Sequence, residues 1–96
     1  MSVLMTMHWP VMTVDIYEQL RKSVDWEKNP PKGLKFHTIA FDNGAYVVDI
    51  WDSKEDFNTF GEQRLMPAVA KSGVTAQPKI EFHPVHAVFT HELHNK

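Results

Sequence analysis

Cysteine is absent from this 96-residue sequence, which excludes a disulfide framework, Cys-ligated zinc, an iron–sulfur cluster and a thiol nucleophile. A surplus of basic charge is missing too. Ten Lys and Arg face twelve Asp and Glu, for a formal net charge of −2, and the basic residues are scattered rather than gathered into the stripe that phosphate neutralisation needs. Nucleic acid is therefore not an expected partner. No apolar run approaches the roughly eighteen residues that span hydrocarbon, and residues 1–9 carry neither a basic n-region nor a cleavage site. No membrane partner is expected, and the cytoplasm is the default location. Glycine is sparse as well: the four glycines stand alone, so no Gly-rich loop can cradle a phosphate.

What is present is a single small domain, 43% hydrophobic, with six His, five Met and three Trp. A chain of this size buries only about 60–65% of the surface its unfolded form exposes, so its core is thin and a subunit interface is a common remedy. A homo-oligomer is the expectation.

Residues 3–9 are apolar and suited to a strand, and Pro10 ends the run because it has no N–H to give a ladder. Ile16, Leu20 and Val24 then recur at i, i+4 and i+8, with Tyr17 beside them and Glu18, Arg21 and Lys22 turned outward. This pattern predicts an amphipathic helix capped by Thr13 or Asp15. Two prolines and a glycine in residues 29–33 require that helix to be over. Residues 34–41 and 45–51 read as strands joined around Asn43-Gly44, a pair suited to positive φ in a tight hairpin turn. Ser53 followed by Asp56 resembles a capping box opening a second helix. Phe57, Phe60, Leu65 and Val69 mark its apolar side, Pro67 must kink it or begin a fresh turn, and Gly73 ends it. Residues 79–89 read as a last strand interrupted by Pro84. The domain is expected over residues 1–90, with a polar tail at 91–96.

The order β-α-β-β-α-β fits the ferredoxin-like α+β arrangement, a four-stranded antiparallel sheet with both helices on one face. The other face is left bare. Apolar residues expected there, such as Ile39, Phe41, Val47 and Val85, call for a partner, and two sheets packed face to face supply one. Alternation puts Met5 and Met7 on one face, where they are expected to fill the core of that dimer.

The segment Asp49-Ile-Trp51-Asp-Ser53, followed by Phe57 and Phe60, resembles the acidic-x-Trp-x-Ser pattern at which proteins of the dimeric α/β-barrel superfamily pass from their third strand into their second helix. Within that superfamily the likeness is to the antibiotic-biosynthesis-monooxygenase-like group, and it covers roughly residues 3–90. The resemblance implies a dimeric α/β barrel. It also implies an activity drawn from cofactor-free oxygenases of activated aromatic substrates, heme-degrading enzymes, isomerases and cyclases. Where the heme-degrading branch carries a ligating His on the second helix, this sequence has Phe60-Gly-Glu-Gln63, so that route to heme is closed.

His37 and Asp49 are the leading candidates for chemistry. A three-residue loop, Asp42-Asn43-Gly44, sets them opposite one another, whereas a two-residue loop pairs His37 with Ile50 and sends the two side chains to opposite faces. In the first register Asp49 orients the imidazole and raises its basicity, making His37 a general base. The plainer reading is a polar pair on a half-wet sheet. Trp51, Tyr17 and Phe60 are expected to line a pocket, although aromatic side chains also simply fill cores. His86, on the last strand, is placed with the same pocket. His83 and His86 point to opposite faces of a strand, and His91 and His94 share a face only in a helical tail, so no metal site is expected. No cofactor is expected either. The reading is a small dimer that removes a proton from a small organic, aromatic molecule, as a cofactor-independent monooxygenase, isomerase or cyclase does. A non-catalytic binding or interaction dimer is the rival, and heme or metal binding through histidines a third, weaker reading.

Overall fold

The computed structural model describes residues 2–91; residues 92–96 of the tail, His94 among them, lie outside. Strand β1 (Val3–Trp9) is followed by helix α1 (Val14–Val24), strands β2 (Leu34–Phe41) and β3 (Ala45–Trp51), helix α2 (Lys54–Phe60), a π-helical turn (Gly61–Leu65), helix α3 (Met66–Ser72) and strand β4 (Lys79–Pro84). The four strands form one antiparallel sheet in the order β2-β3-β1-β4. This is the ferredoxin-like α+β fold.

Local chemistry sets the element ends. The Thr13 hydroxyl accepts from the Ile16 N–H at 3.2 Å and caps α1, and Asp25 closes that helix in the left-handed region at φ 60°. The Ser53 hydroxyl does the same for α2, accepting from the Asp56 N–H at 3.1 Å. These hydroxyls satisfy amide donors that have no partner within the helix. The proline in the second helical segment is absorbed by a change of register: a π turn precedes it, and Pro67 stands in the first turn of α3.

The hairpin decides which face each strand residue takes. Phe41 pairs with Ala45, so the connection is the three-residue loop, with Asn43 at φ 54° and Gly44 at φ 112°. A Cβ on Gly44 would sit 2.7 Å from Pro10 Cα, so both the backbone angle and the close approach demand glycine. This parity turns Ala45, Val47, Asp49 and Trp51 toward the helices, where they are buried with Met5, Met7, Trp9, Met12, Leu20, Phe57 and Val69.

Three expectations are corrected by this parity. Ile39 is opposite Val47 on the helix side, and Phe41 meets the Tyr17 ring of α1 edge-on, so none of the three lies on the bare face. That face carries Leu4, Phe36, Tyr46, Val48 and Ile50 instead, the alternate residues of the same ladders. Met5 and Met7 are buried in the protomer's own core rather than at a dimer seam. The last strand is also shorter than the sequence suggests. It ends at Pro84, opposite Val3, with one more ladder bond from the Val85 N–H to the Ser2 carbonyl at 3.0 Å.

Candidate active site

Strand alternation puts Asp49 and Trp51 on the same buried face of β3, and the hairpin register sets His37 across from Asp49. A carboxyl group only 5% exposed among methionines and aromatic rings needs partners, and it has two. The His37 Nδ1–H donates to Asp49 Oδ1 at 2.7 Å, and the Trp51 Nε1–H donates to Oδ2 at 3.1 Å. At the other end of the imidazole, Nε2 accepts from the Tyr17 hydroxyl at 3.0 Å. The carboxylate can only accept, which requires a proton on Nδ1; in the neutral imidazole Nε2 is then the acceptor and the phenol the donor. Four side chains from α1, β2 and β3 thus form one continuous chain of hydrogen bonds, Trp51 to Asp49 to His37 to Tyr17.

The chain forms part of the wall of a cavity of about 70 Å³ between sheet and helices, lined otherwise by apolar groups such as Met12, Leu20, Ile39 and Phe60. Tyr17 and Trp26 both pack against the imidazole, with ring centroids 6.2 and 5.6 Å away. The cavity is smaller than the roughly 150 Å³ that admits a benzene ring. Of the residues singled out in the sequence, His37, Asp49, Trp51, Tyr17 and Phe60 all border this space. His86 does not. It is exposed and lies past the end of β4, at the sheet edge opposite β2. Among the described residues no group of three or more His, Asp or Glu is placed to hold a metal ion, and no helix is long and apolar enough to cross a membrane.

Sequence reasoning assigned Tyr17 a wall, not a bond to His37. Its position beside the Ile16 and Leu20 stripe marked it as inward-facing, but the histidine it meets is twenty residues away. Burial pushes the Tyr17 phenol up from 10.0 to about 12, with the Glu18, Glu27 and Asp49 charges adding to the rise and the Arg21 charge opposing it. Because the folded value lies above the unfolded one, Tyr17 contributes stability that is complete below pH 10.0 and is lost as pH rises through about 12. Alkaline titration followed by tyrosinate absorbance is expected to show a step near pH 12 that vanishes in Tyr17→Phe. Ionisation of this residue at its ordinary value would refute the burial argument.

No known protein family and no curated protein matches the chain in sequence. Solved structures match it in shape. A single-residue variant of SnoaB, a cofactor-independent oxygenase from Streptomyces nogalater, superposes with a TM-score of 0.65 at 12% identity, over 91% of this chain and 95% of that one. A conserved protein from Methanosarcina mazei Go1 gives 0.65 at 10% identity, over 85% and 90% of the two chains. A Deinococcus radiodurans protein assigned provisionally to the antibiotic biosynthesis monooxygenases gives 0.55 at 15% identity, over 94% and 97%. At such identities the likeness is one of fold, and it is the fold implied by the Asp49–Phe60 segment.

Proposed function

We propose that this chain is a cofactor-independent, monooxygenase-like enzyme that takes a proton from an acidic carbon or phenol of a small aromatic molecule. The observation that carries the reading is the Trp51–Asp49–His37–Tyr17 chain on the wall of an otherwise apolar cavity. Asp49, held by the Trp51 indole, keeps the His37 proton on Nδ1 and leaves Nε2 as the basic atom. A substrate acid presented at Nε2 takes the place of the Tyr17 hydroxyl. Tyr17 is then free to donate to the oxygen on which negative charge develops. The apolar walls exclude water, which strengthens both interactions.

The carbanion formed at a methylene passes an electron to dioxygen, and the radical pair joins as a carbon–oxygen bond. Protonation gives a hydroperoxide, and loss of water leaves a carbonyl. The methylene carbon supplies all the electrons, and dioxygen ends with one atom in the carbonyl and one in water. Isomerisation or cyclisation begins from the same carbanion. SnoaB, a cofactor-independent oxygenase with this fold, supports the oxygenase outcome. The test is oxygen uptake with anthrone, whose methylene is acidified by two rings and a ketone. Uptake well above the buffer rate, with one carbonyl formed per dioxygen, is expected; uptake at the buffer rate rejects the reading.

The cavity's small volume favours a second reading, a non-catalytic dimer in which His37 and Asp49 are structural. Both readings include self-association through the bare sheet face, where Tyr46 is 46% and Val48 36% exposed in the protomer. Sedimentation is expected to give a dimer for the unaltered chain and a monomer for Val48→Lys, which places a charge in the middle of that face. A monomeric unaltered chain, or a variant that still dimerises, rejects this interface.

A further inference from the structure

Gly61 stands in the interior of a continuous helical run, at the join of α2 and the π turn, with φ −58° and ψ −49°. Those are right-handed helical angles, which every residue type adopts, so the backbone does not require glycine there. Packing does not require it either: a Cβ built on Gly61 meets nothing within 4 Å, although the residue itself is buried. Glycine is among the poorest helix formers, and a buried helix position with room for a side chain ordinarily carries one. What occupies the space is a hollow of about 180 Å³, bordered by Met7, Trp9, Phe57, Gly61, Leu65 and Ile80. Four of these, Met7, Trp9, Phe57 and Leu65, also line the cavity at His37, so the two spaces are separated by a shared wall. Met7 and Leu65 are the aliphatic members of that wall, with flexible side chains whose rotation would open it.

The two volumes are complementary. The cavity at His37 is too small for a ring, and the hollow exceeds the roughly 150 Å³ that accommodates benzene. A molecule whose acidic atom reaches Nε2 therefore has space for its bulk on the far side of the wall. We propose that the hollow is the second subsite of the His37 cavity, that it holds the distal ring or apolar tail of an elongated aromatic substrate, and that Gly61 sets the length admitted. The proposal rests on the reading of the His37 cavity as a substrate site. Asn58 and Glu62, at the hollow's border and exposed, leave a polar end group in contact with solvent.

The experiment measures binding, so that it is independent of turnover. Equilibrium dialysis is run with anthrone, which has three fused rings, and with malononitrile, which has an acidic methylene and no ring. Gly61→Leu, whose side chain takes up part of the hollow, is expected to raise the Kd for anthrone about tenfold or more and to change that for malononitrile less than about twofold. Gly61→Ala is expected to shift the anthrone Kd in the same direction to a smaller extent, with a melting temperature equal to or above that of the unaltered chain. The alanine variant keeps the test decisive if the leucine variant does not fold. Equal changes for both probes, no change for anthrone, or no anthrone binding by the unaltered chain overturns the proposal. A result in which Gly61→Leu discriminates between the probes while anthrone is bound but never oxidised upholds the subsite and rejects the base chemistry.

Discussion

Replacing His37 with alanine is expected to lower kcat for anthrone oxidation by about 10²- to 10⁴-fold, the range a positioned general base contributes. In the proposed mechanism Nε2 is the base, and the imidazole is held at both ends: Asp49 Oδ1 lies 2.7 Å from Nδ1 and the Tyr17 hydroxyl 3.0 Å from Nε2. The fold is expected to survive, because the His37 side chain is a quarter exposed and borders space rather than filling the densest core. The substitution does leave Asp49 Oδ1 without its donor, at a cost of about 1–3 kcal/mol for a buried acceptor. His37→Gln separates the two effects. Its amide offers an N–H toward Asp49 but no basic nitrogen, so turnover is lost with less loss of stability. Oxygen uptake gives kcat, and circular dichroism on the same samples gives the fold. Turnover by folded His37→Ala within about twofold of the unaltered chain, far below the contribution of a general base, removes His37 from the mechanism.

The element order was legible because each signal is local. The apolar, strand-compatible runs at 3–9, 34–41 and 45–51 became strands, the Ile16, Leu20 and Val24 spacing became α1, and Ser53 capped α2 as its position three residues before Asp56 suggested. The face of each strand was not legible in the same way. Asp42-Asn43-Gly44 permits loops of two lengths that differ by one residue in register, and a one-residue slip exchanges the two faces. The observed three-residue loop brings His37 to Asp49 and at the same time moves Ile39, Phe41 and Val47 to the helix side. His86 was misplaced because the β4 ladder ends at Pro84, and where a strand stops pairing is a fact of tertiary arrangement. The Tyr17 bond to Nε2 and the space at Gly61 are likewise products of packing between elements distant in sequence. The Asp49–Trp51 bond, by contrast, could have been read from the sequence, because residues two apart in a strand share a face.

Trp51→Ala is expected to bring the protein close to the limit of its stability. The side chain is 1% exposed, meets Phe57 edge-on with centroids 5.4 Å apart and Phe60 at 5.6 Å, and supplies the N–H at Asp49 Oδ2. Deleting a buried Trp costs about 3–5 kcal/mol through lost transfer energy and the cavity left behind, against a total stability of about 5–15 kcal/mol for an ordinary domain. For a domain of this size each kcal/mol is worth roughly 4–8 °C, so a fall in melting temperature of about 12 °C or more is the expected reading. Trp51→Phe divides that loss. The ring packing is largely retained and the donor is removed, so the penalty falls to the ~1–3 kcal/mol of an unpartnered buried acceptor. If that penalty comes from Asp49, adding Asp49→Asn to Trp51→Phe must change it, with a coupling of about 0.5–3 kcal/mol for residues in direct contact. Thermal and urea melts of the two single variants and the double variant measure the term. Strict additivity would mean that the indole serves only to fill the core, and that Asp49 is held in place by His37 alone.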